Sequence, residues 1–368
     1  MPPSSGSPRH RSTTSTACWT RRSVSGRSAS RRRAPVDTNG QRTGHPVLDS
    51  YDGLLVDLDG TVYRGGAPVP GAAGALAGRR VVYVTNNASR SPREVADQLR
   101  SLGVPAADGD VLTSAQAACR LAREVVDSRG LDHPGRPRAY VVGAASFGVL
   151  ARTAGFTVVD GASAHPDVVL HGHSPENDWA RLSEAALAIR AGAVYVASNM
   201  DTTLPTERGL LVGNGSMVAA VVSATGVTPV SAGKPGPAMF HVAADQIGAS
   251  RPLAVGDRLD TDIAGGIAAG MDTLCVLTGV ATHRELLHTT DRPTHIAANL
   301  RDHLPGWSAR EEDGRVTVSA GEPGPVEVAA AEALAVAAPL VWAADDAART
   351  VEVVGGDAVA AAAVEAWR

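Results

Sequence analysis

The chain has 368 residues, a formal charge of −4 and 44% hydrophobic residues, which is a length for about two domains with sizeable cores. Its 3 cysteines, Cys18, Cys119 and Cys275, are odd in number and far apart, which excludes a disulfide framework or a CxxC metal site and points to a reducing, cytoplasmic compartment. No apolar run reads as reaching the roughly 18 to 20 residues that cross a bilayer, and 4% aromatic residues argue against a base-stacking nucleic-acid binder.

The charge is split along the chain. Residues 1–45 hold nine Arg and one Asp (+8), which leaves 25 basic and 37 acidic residues over 46–368 (−12). The leading segment is rich in Ser, Thr, Pro and Arg without apolar periodicity, so a disordered basic tail is expected. Arg-rich, acid-poor composition also suits a transit peptide, or a stretch that precedes the true start. A nucleic-acid-binding arm is the less favoured reading of such a run.

Ordered structure is predicted from Leu54 onward. The run Leu54–Leu58 reads as a buried strand stopped by Asp-Gly-Thr, and 81–85, 252–255 and 273–277 repeat the pattern. Helical patterns over 92–102 and 236–247 alternate with these strands, predicting a parallel sheet with helices on both faces and ligands at the C-terminal strand ends. Residues 133–227 form a second α/β block, with strands near 139–143, 168–170 and 193–198 and a helix over about 178–191. Chemically marked segments flank it, so it reads as an insertion. From 306 the composition turns to Ala, Val, Glu and Gly, with a segment at 315–318, a helix at 326–337, a separate piece at 340–344 and a terminal Ala-rich helix from about 357. The expected class is therefore α/β: a Rossmann-like core (46–132 and 228–305), an inserted α/β domain (133–227) and a small C-terminal α/β extension (306–368) of unknown role.

The strongest chemical signal is Asp57-Leu58-Asp59-Gly60-Thr61. Alternate residues of an extended chain share a face, so Asp57 and Asp59 are expected to project together from the strand end. Adjacent carboxylates repel unless a cation sits between them or they divide nucleophile and acid/base roles. An Asp-Gly turn of no catalytic meaning is the competing interpretation.

Three further motifs follow in order: Thr85-Asn86-Asn87 after a strand, Lys234 in Ala-Gly-Lys-Pro, and Gly256-Asp257-Arg258-Leu259-Asp260-Thr261-Asp262. Together they resemble the haloacid dehalogenase superfamily of phosphatases, whose motifs are DxDGT, a strand ending in Ser or Thr, a lysine and GDxxxTD. The resemblance implies a Mg²⁺-dependent phosphomonoesterase. Asp57 would be the nucleophile, forming an aspartyl phosphate, and Asp59 the general acid and base. Thr85, Asn86 and Asn87 would hold the phosphoryl oxygens. Mg²⁺ would be bound by Asp57, the Asp59 carbonyl and Asp257, with Asp262 orienting ligands or water. Lys234 would neutralise the nucleophile and the transferring group. Composition adds weight, because the chain uses arginine 33 times and lysine once, in this motif.

In position and size the inserted block is similar to the large α/β cap of the p-nitrophenyl phosphatase and phosphoglycolate phosphatase branch. Asn199-Met200-Asp201, Pro205, Gly209 and Gly213-Asn214-Gly215 follow that branch's N-x-D-x-x-x-P…G…G-x-G segment. A roof of this kind implies a small phosphorylated metabolite and disfavours nucleic acid and membrane partners; a homodimer remains open. The C-terminal extension resembles the tail of actinobacterial glycerol 3-phosphate phosphatases, so glycerol 3-phosphate is the expected substrate, with 2-phosphoglycolate or a p-nitrophenyl phosphate-type ester as alternatives. Gly213-Asn214-Gly215 lacks the third glycine of a dinucleotide fingerprint and reads as a turn. His171 and His173 lack a third ligand in reach and are expected to touch substrate or solvent. Gly265, Gly266 and Gly270 are expected to allow close helix packing.

Overall fold

The computed structural model describes residues 45–130, 135–206 and 208–368. The predicted basic tail lies outside the described residues except for His45, which is buried and donates its backbone N–H to the Leu300 carbonyl at 2.7 Å.

The first core segment comprises β1 (Gly53–Val56), the short pair β2 (Tyr63–Arg64) and β3 (Ala67–Pro68), α1 (Ala72–Leu76), β4 (Val81–Thr85), α2 (Pro92–Ser101), β5 (Val111–Thr113) and α3 (Ser114–Arg129). The inserted segment contributes β6 (Arg138–Val142), α4 (Ala145–Thr153), β7 (Thr157–Val159), β8 (Val168–His171), α5 (Trp179–Arg190), β9 (Val194–Ala197), the hairpin β10 (Thr203–Thr206) and β11 (Gly209–Val212), α6 (Asn214–Thr225) and β12 (Val230–Ser231). The chain returns through α7 (Ala238–Ile247), β13 (Pro252–Gly256), α8 (Ala264–Ala268), β14 (Asp272–Val276), α9 (His283–His288) and β15 (His295–Ala297). It ends with β16 (Ser308–Glu312), β17 (Arg315–Ser319), α10 (Val326–Asp346), β18 (Glu352–Gly355) and α11 (Ala358–Glu365).

Six parallel strands in the order β15-β14-β13-β1-β4-β5 form the core sheet. Its central strands are apolar at every position because both faces are covered. Leu55, Val82, Val84 and Ala254 point to one face, against α3 and Met239 and Phe240 of α7. The alternate residues Leu54, Val56, Tyr83, Leu253 and Val255 point to the other, against Val95 and Leu99 of α2. That helix begins in a reciprocal cap: the Ser91 hydroxyl accepts from the Glu94 N–H, and the Glu94 carboxylate accepts from the Ser91 N–H.

The inserted segment builds its own five-stranded parallel sheet, β12-β9-β8-β6-β7. One face packs on α5 and α6, and the other shares a continuous apolar cluster with α3 and α4. Val230 and Ser231, which the sequence assigned to the core, pair with Val196 and Ala197 and so belong to the inserted sheet. Two residues carry too little periodicity to show which sheet a strand joins.

In the extension, β16 and β17 are antiparallel and β18 lies parallel to β17. Two sequence expectations fail here. The pieces predicted at 326–337 and 340–344 are one 21-residue helix that runs through Pro339. Pro339 is exposed while Ala337 and Ala338 before it and Val341 and Trp342 after it are buried, so packing of the helix on the body outweighs the lost hydrogen bond. The same helix is long and apolar enough to cross a membrane, contrary to the reading that no run reaches that length. It is apolar on several faces because β16, β17, α9 and α11 surround it, and more than half of its most apolar window is buried within the fold.

Candidate active site

The signature residues converge at the C-terminal ends of β1, β4 and β13. Asp57 follows β1, its N–H bonded to the Val255 carbonyl at 2.8 Å. Lys234 enters from the loop after β12 and is 4% exposed. Its Nζ donates to Asp57 Oδ1, to Asp262 Oδ1 at 2.6 Å and to the Val84 carbonyl at 3.2 Å, so three donors meet three acceptors. Asp262 lies on a wide helical turn over Leu259–Ile263, and its other oxygen accepts from the Arg258 N–H at 3.1 Å.

Asp257 is buried beside them, its Oδ2 accepting from the Val280 N–H at 2.7 Å. Backbone crowds this carboxylate. Gly60 has φ +89°, and a Cβ there would lie 2.3 Å from Asp257 Oδ2, which is why glycine stands in the Asp-Gly-Thr turn. Asp57, Asp257 and Asp262 can each bring one carboxylate oxygen within 4.8 Å of the others.

Three carboxylates facing one ammonium leave an excess of two negative charges. Burial, reinforced by the charge of Asp262, pushes Asp57 up to about 8 against the pull of Lys234. Burial and Asp262 likewise push Asp257 up to about 6. Burial opposes the charge on Lys234, but Asp262 and Asp57 outweigh it and hold its pKa above the ordinary lysine value. A divalent cation on carboxylate oxygen would relieve the crowding of Asp57 and Asp257, and an all-oxygen donor set fits Mg²⁺ rather than a soft metal.

Asp59 is placed differently from expectation. Its side chain is exposed and accepts from the Gly65 N–H at 3.4 Å, so it does not share the buried carboxylate cluster with Asp57. The strand ends at Val56, and the extended alternation that would align the two carboxylates stops before Asp59.

Thr85 ends β4, its Oγ1 accepting from the Asn87 N–H at 3.2 Å, while Asn87 Oδ1 takes the N–H of Ser89 at 2.8 Å. The Asn86 side chain is engaged by protein groups. Its Oδ1 accepts from the Lys234 N–H at 2.8 Å, and its Nδ2 donates to the Lys234 carbonyl at 3.1 Å and to the Asp201 carboxylate at 3.2 and 3.3 Å.

Asp201, Asn199 and Asn214, outside the predicted set, are wired into the same place. Asn199 Nδ2 donates to the Asn86 carbonyl at 2.8 Å, and Asn214 Nδ2 to the Asn199 carbonyl at 2.8 Å. The N-x-D and G-x-G residues were visible in the sequence, but nothing in their spacing pairs them with Asn86. Gly213-Asn214-Gly215 opens α6, and a Cβ at Gly215 would lie 2.1 Å from the Met200 carbonyl, so the second glycine permits close approach of backbone.

His171 neither touches solvent nor stands in the site. It is fully buried at the end of β8 with Nδ1 2.8 Å from the Tyr195 hydroxyl, and burial depresses its pKa to about 4. His173, two residues on, is partly exposed. Gly265 and Gly266 do pack closely, against Phe240 and Thr273, whereas Gly270 has open space and a φ of +69° that ends its helix.

Two family models match the chain: haloacid dehalogenase-like hydrolase over residues 54–157 and HAD-hydrolase-like over residues 231–303. A D-glycerol 3-phosphate phosphatase of Mycobacterium tuberculosis is 42% identical over 342 residues, covering 87% of this chain and 95% of that protein. A crystal structure of glycerol phosphate phosphatase from Mycobacterium tuberculosis in complex with magnesium matches with a TM-score of 0.74 at 40% identity, over 87% of this chain and 98% of that one. A double-mutant thermostable NPPase from Geobacillus stearothermophilus matches with a TM-score of 0.61 at 35% identity, over 69% of this chain and 98% of its own. With the ordered motifs meeting at one end of a parallel sheet beneath an inserted α/β cap, and with relatives of this identity matched nearly end to end, the chain belongs to the haloacid dehalogenase-like hydrolase family.

Proposed function

We propose that this chain is a magnesium-dependent phosphomonoesterase acting on small phosphoesters, glycerol 3-phosphate first among them. The observation that carries the chemistry is the chain's one lysine, buried and bonded to Asp57 and Asp262 at the strand ends. Glycerol 3-phosphate is supported by the relative at 42% identity over most of both chains.

In this reading Asp57 attacks phosphorus in line, its oxygen–phosphorus bond forming as the bond to the alkoxide oxygen breaks. Asp59, exposed at the mouth, protonates the leaving alkoxide. It then takes a proton from water as the water oxygen attacks phosphorus, releasing phosphate and restoring the Asp57 carboxylate. Lys234 offsets the charge of Asp57 and of the transferring group with a compact ammonium that an arginine fork would not match. Thr85 and the backbone of Asn86 and Asn87 hold the remaining phosphoryl oxygens. Asp57, Asp257 and the Asp59 carbonyl would hold Mg²⁺, and Asp262 keeps Lys234 in place. The ion would supply Lewis-acid stabilisation of the phosphoryl oxygens.

Residues 46–132 and about 232–305 are assigned to the catalytic core, with the inserted sheet as a roof that excludes water and bulky esters. Buried free Cys119 and Cys275 fit a reducing, cytoplasmic setting. The NPPase relative favours a second reading, in which a p-nitrophenyl phosphate-type ester is the better substrate.

Phosphate release from glycerol 3-phosphate, 2-phosphoglycolate and p-nitrophenyl phosphate, with Mg²⁺ and after chelation, separates these readings. Glycerol 3-phosphate is expected to show the highest kcat/KM, with activity abolished by chelation. Asp57→Asn should lose at least about 1,000-fold in kcat. Full, chelator-sensitive activity in that variant would sink the mechanism.

A further inference from the structure

We propose that Asp201, on the inserted module, is a positioning residue for Lys234, acting through Asn86. The inference rests on the catalytic part given to Lys234 above and adds to it a link between the roof and the reacting centre.

Asn86 is the only described side chain that bonds both the N–H and the carbonyl of Lys234, at 2.8 and 3.1 Å. Holding both ends of one residue fixes the direction from which its side chain leaves the backbone. Nδ2 has two hydrogens: one is used by the Lys234 carbonyl, and the other faces the Asp201 carboxylate at 3.2 and 3.3 Å. Asp201 thereby reinforces the amide orientation, set first by the Lys234 carbonyl and N–H, that presents Oδ1 to the Lys234 N–H, and anchors the amide to the inserted module. With the acceptor removed, the second Nδ2 hydrogen loses its partner, and Asn86 is no longer tied through it to the inserted module, so the amide and the Lys234 backbone it holds are free to shift together.

Asp201 is itself well anchored. Its carbonyl accepts from the Gly215 N–H at 2.8 Å, and its own N–H donates to Asn199 Oδ1 at 3.3 Å. There is no slack at the junction, since a Cβ on Gly233 would lie 2.6 Å from the Ser198 carbonyl and 2.9 Å from Asn86 Oδ1. The cap is therefore joined to the lysine by a short chain of direct hydrogen bonds, and its seating sets where the ammonium sits between Asp57 and Asp262.

Steady-state kinetics of the full chain at saturating Mg²⁺ on p-nitrophenyl phosphate test this. Asp201→Ala is expected to lower kcat by about 10- to 100-fold, the scale of a small misplacement of a catalytic group, with KM moved less than about threefold. Asp201→Asn, which keeps an acceptor for Asn86, is expected to recover kcat to within about threefold of wild type. If Asp201→Ala does not fold, Asp201→Ser, whose shorter hydroxyl falls short of Asn86, replaces it. Unchanged kcat in Asp201→Ala or Asp201→Ser, an effect confined to KM, or an Asn variant as impaired as the truncated one would overturn the proposal. A wild-type protein without phosphomonoesterase activity would overturn the proposed function instead, so the two failures are distinguishable.

Discussion

At the scale of single residues the site is governed by charge held out of water. Asp57 is pushed up to about 8 and Asp257 up to about 6, in each case by burial first and by Asp262 next. Both lie above the ordinary carboxylate value, so without a cation the folded state binds more protons than the unfolded chain, and these groups cost increasing stability as pH rises through their folded values. A divalent cation should cancel that cost. The rise in Tm on adding Mg²⁺ to chelator-treated protein is accordingly expected to be larger at pH 8 than at pH 5.5, read by differential scanning fluorimetry. A shift that is equal at both pH values, or larger at the lower one, would contradict the raised carboxyl pKa values. The solitary lysine was legible from composition and motif. That Asp262 grips the lysine as one of its three acceptors was not, because Lys234 and Asp262 are brought together only by the turn at Leu259–Ile263.

At the scale of elements, strand ends decide which polar residues face inward. His171 closes β8 in a fully buried position, and its depressed pKa of about 4 means that it folds neutral. Its contribution is present above the unfolded histidine value near 6.5 and is lost as pH falls from there toward 4, a change of about 3 kcal/mol. His171→Asn should flatten urea-unfolding stability over that window relative to wild type. Parallel pH profiles in the two proteins would remove His171 from the account. The sequence places His171 and His173 at the same spacing as a pair of metal ligands, but burial separates them: the first is a core residue partnered by Tyr195, and the second is partly solvated. Asp57 and Asp59 behave alike in this respect, since the strand ends before both and their side chains diverge.

At the scale of the whole molecule, the C-terminal extension packs through α10 against the β14–β15 end of the catalytic sheet and α9. Leu334, Ala338 and Trp342 of α10 pack with Cys275, Leu286 and Ile296, and Trp342 Nε1 donates to the Leu286 carbonyl at 2.9 Å. A chain ending at Pro305 would expose this face. Loss of one or two large buried side chains' worth of contact predicts a destabilisation of about 2–5 kcal/mol. Thermal unfolding and binding of an apolar dye would show it as a lowered Tm and new dye fluorescence. A truncated chain with wild-type Tm would mean that the extension is an independent appendage. Relatives matched over only 69% of this chain, yet 98% of their own, show that the family core folds without so long a chain.

What the sequence determined by itself was local or strictly ordered: buried parallel strands as unbroken apolar runs, the motifs at their ends, the insertion between them and the lone lysine among arginines. These are properties of a short segment or of order along the chain, and period and spacing report them directly. Tertiary structure alone decided the rest. It assigned Val230–Ser231 to the inserted sheet, carried α10 through Pro339, buried His171, turned Asp59 outward and joined Asp201 to Lys234 through Asn86. Each of these depends on which surfaces meet. Asn86 and Asp201 lie 115 residues apart, and no local propensity encodes a hydrogen bond that exists only once two sheets have packed around α3.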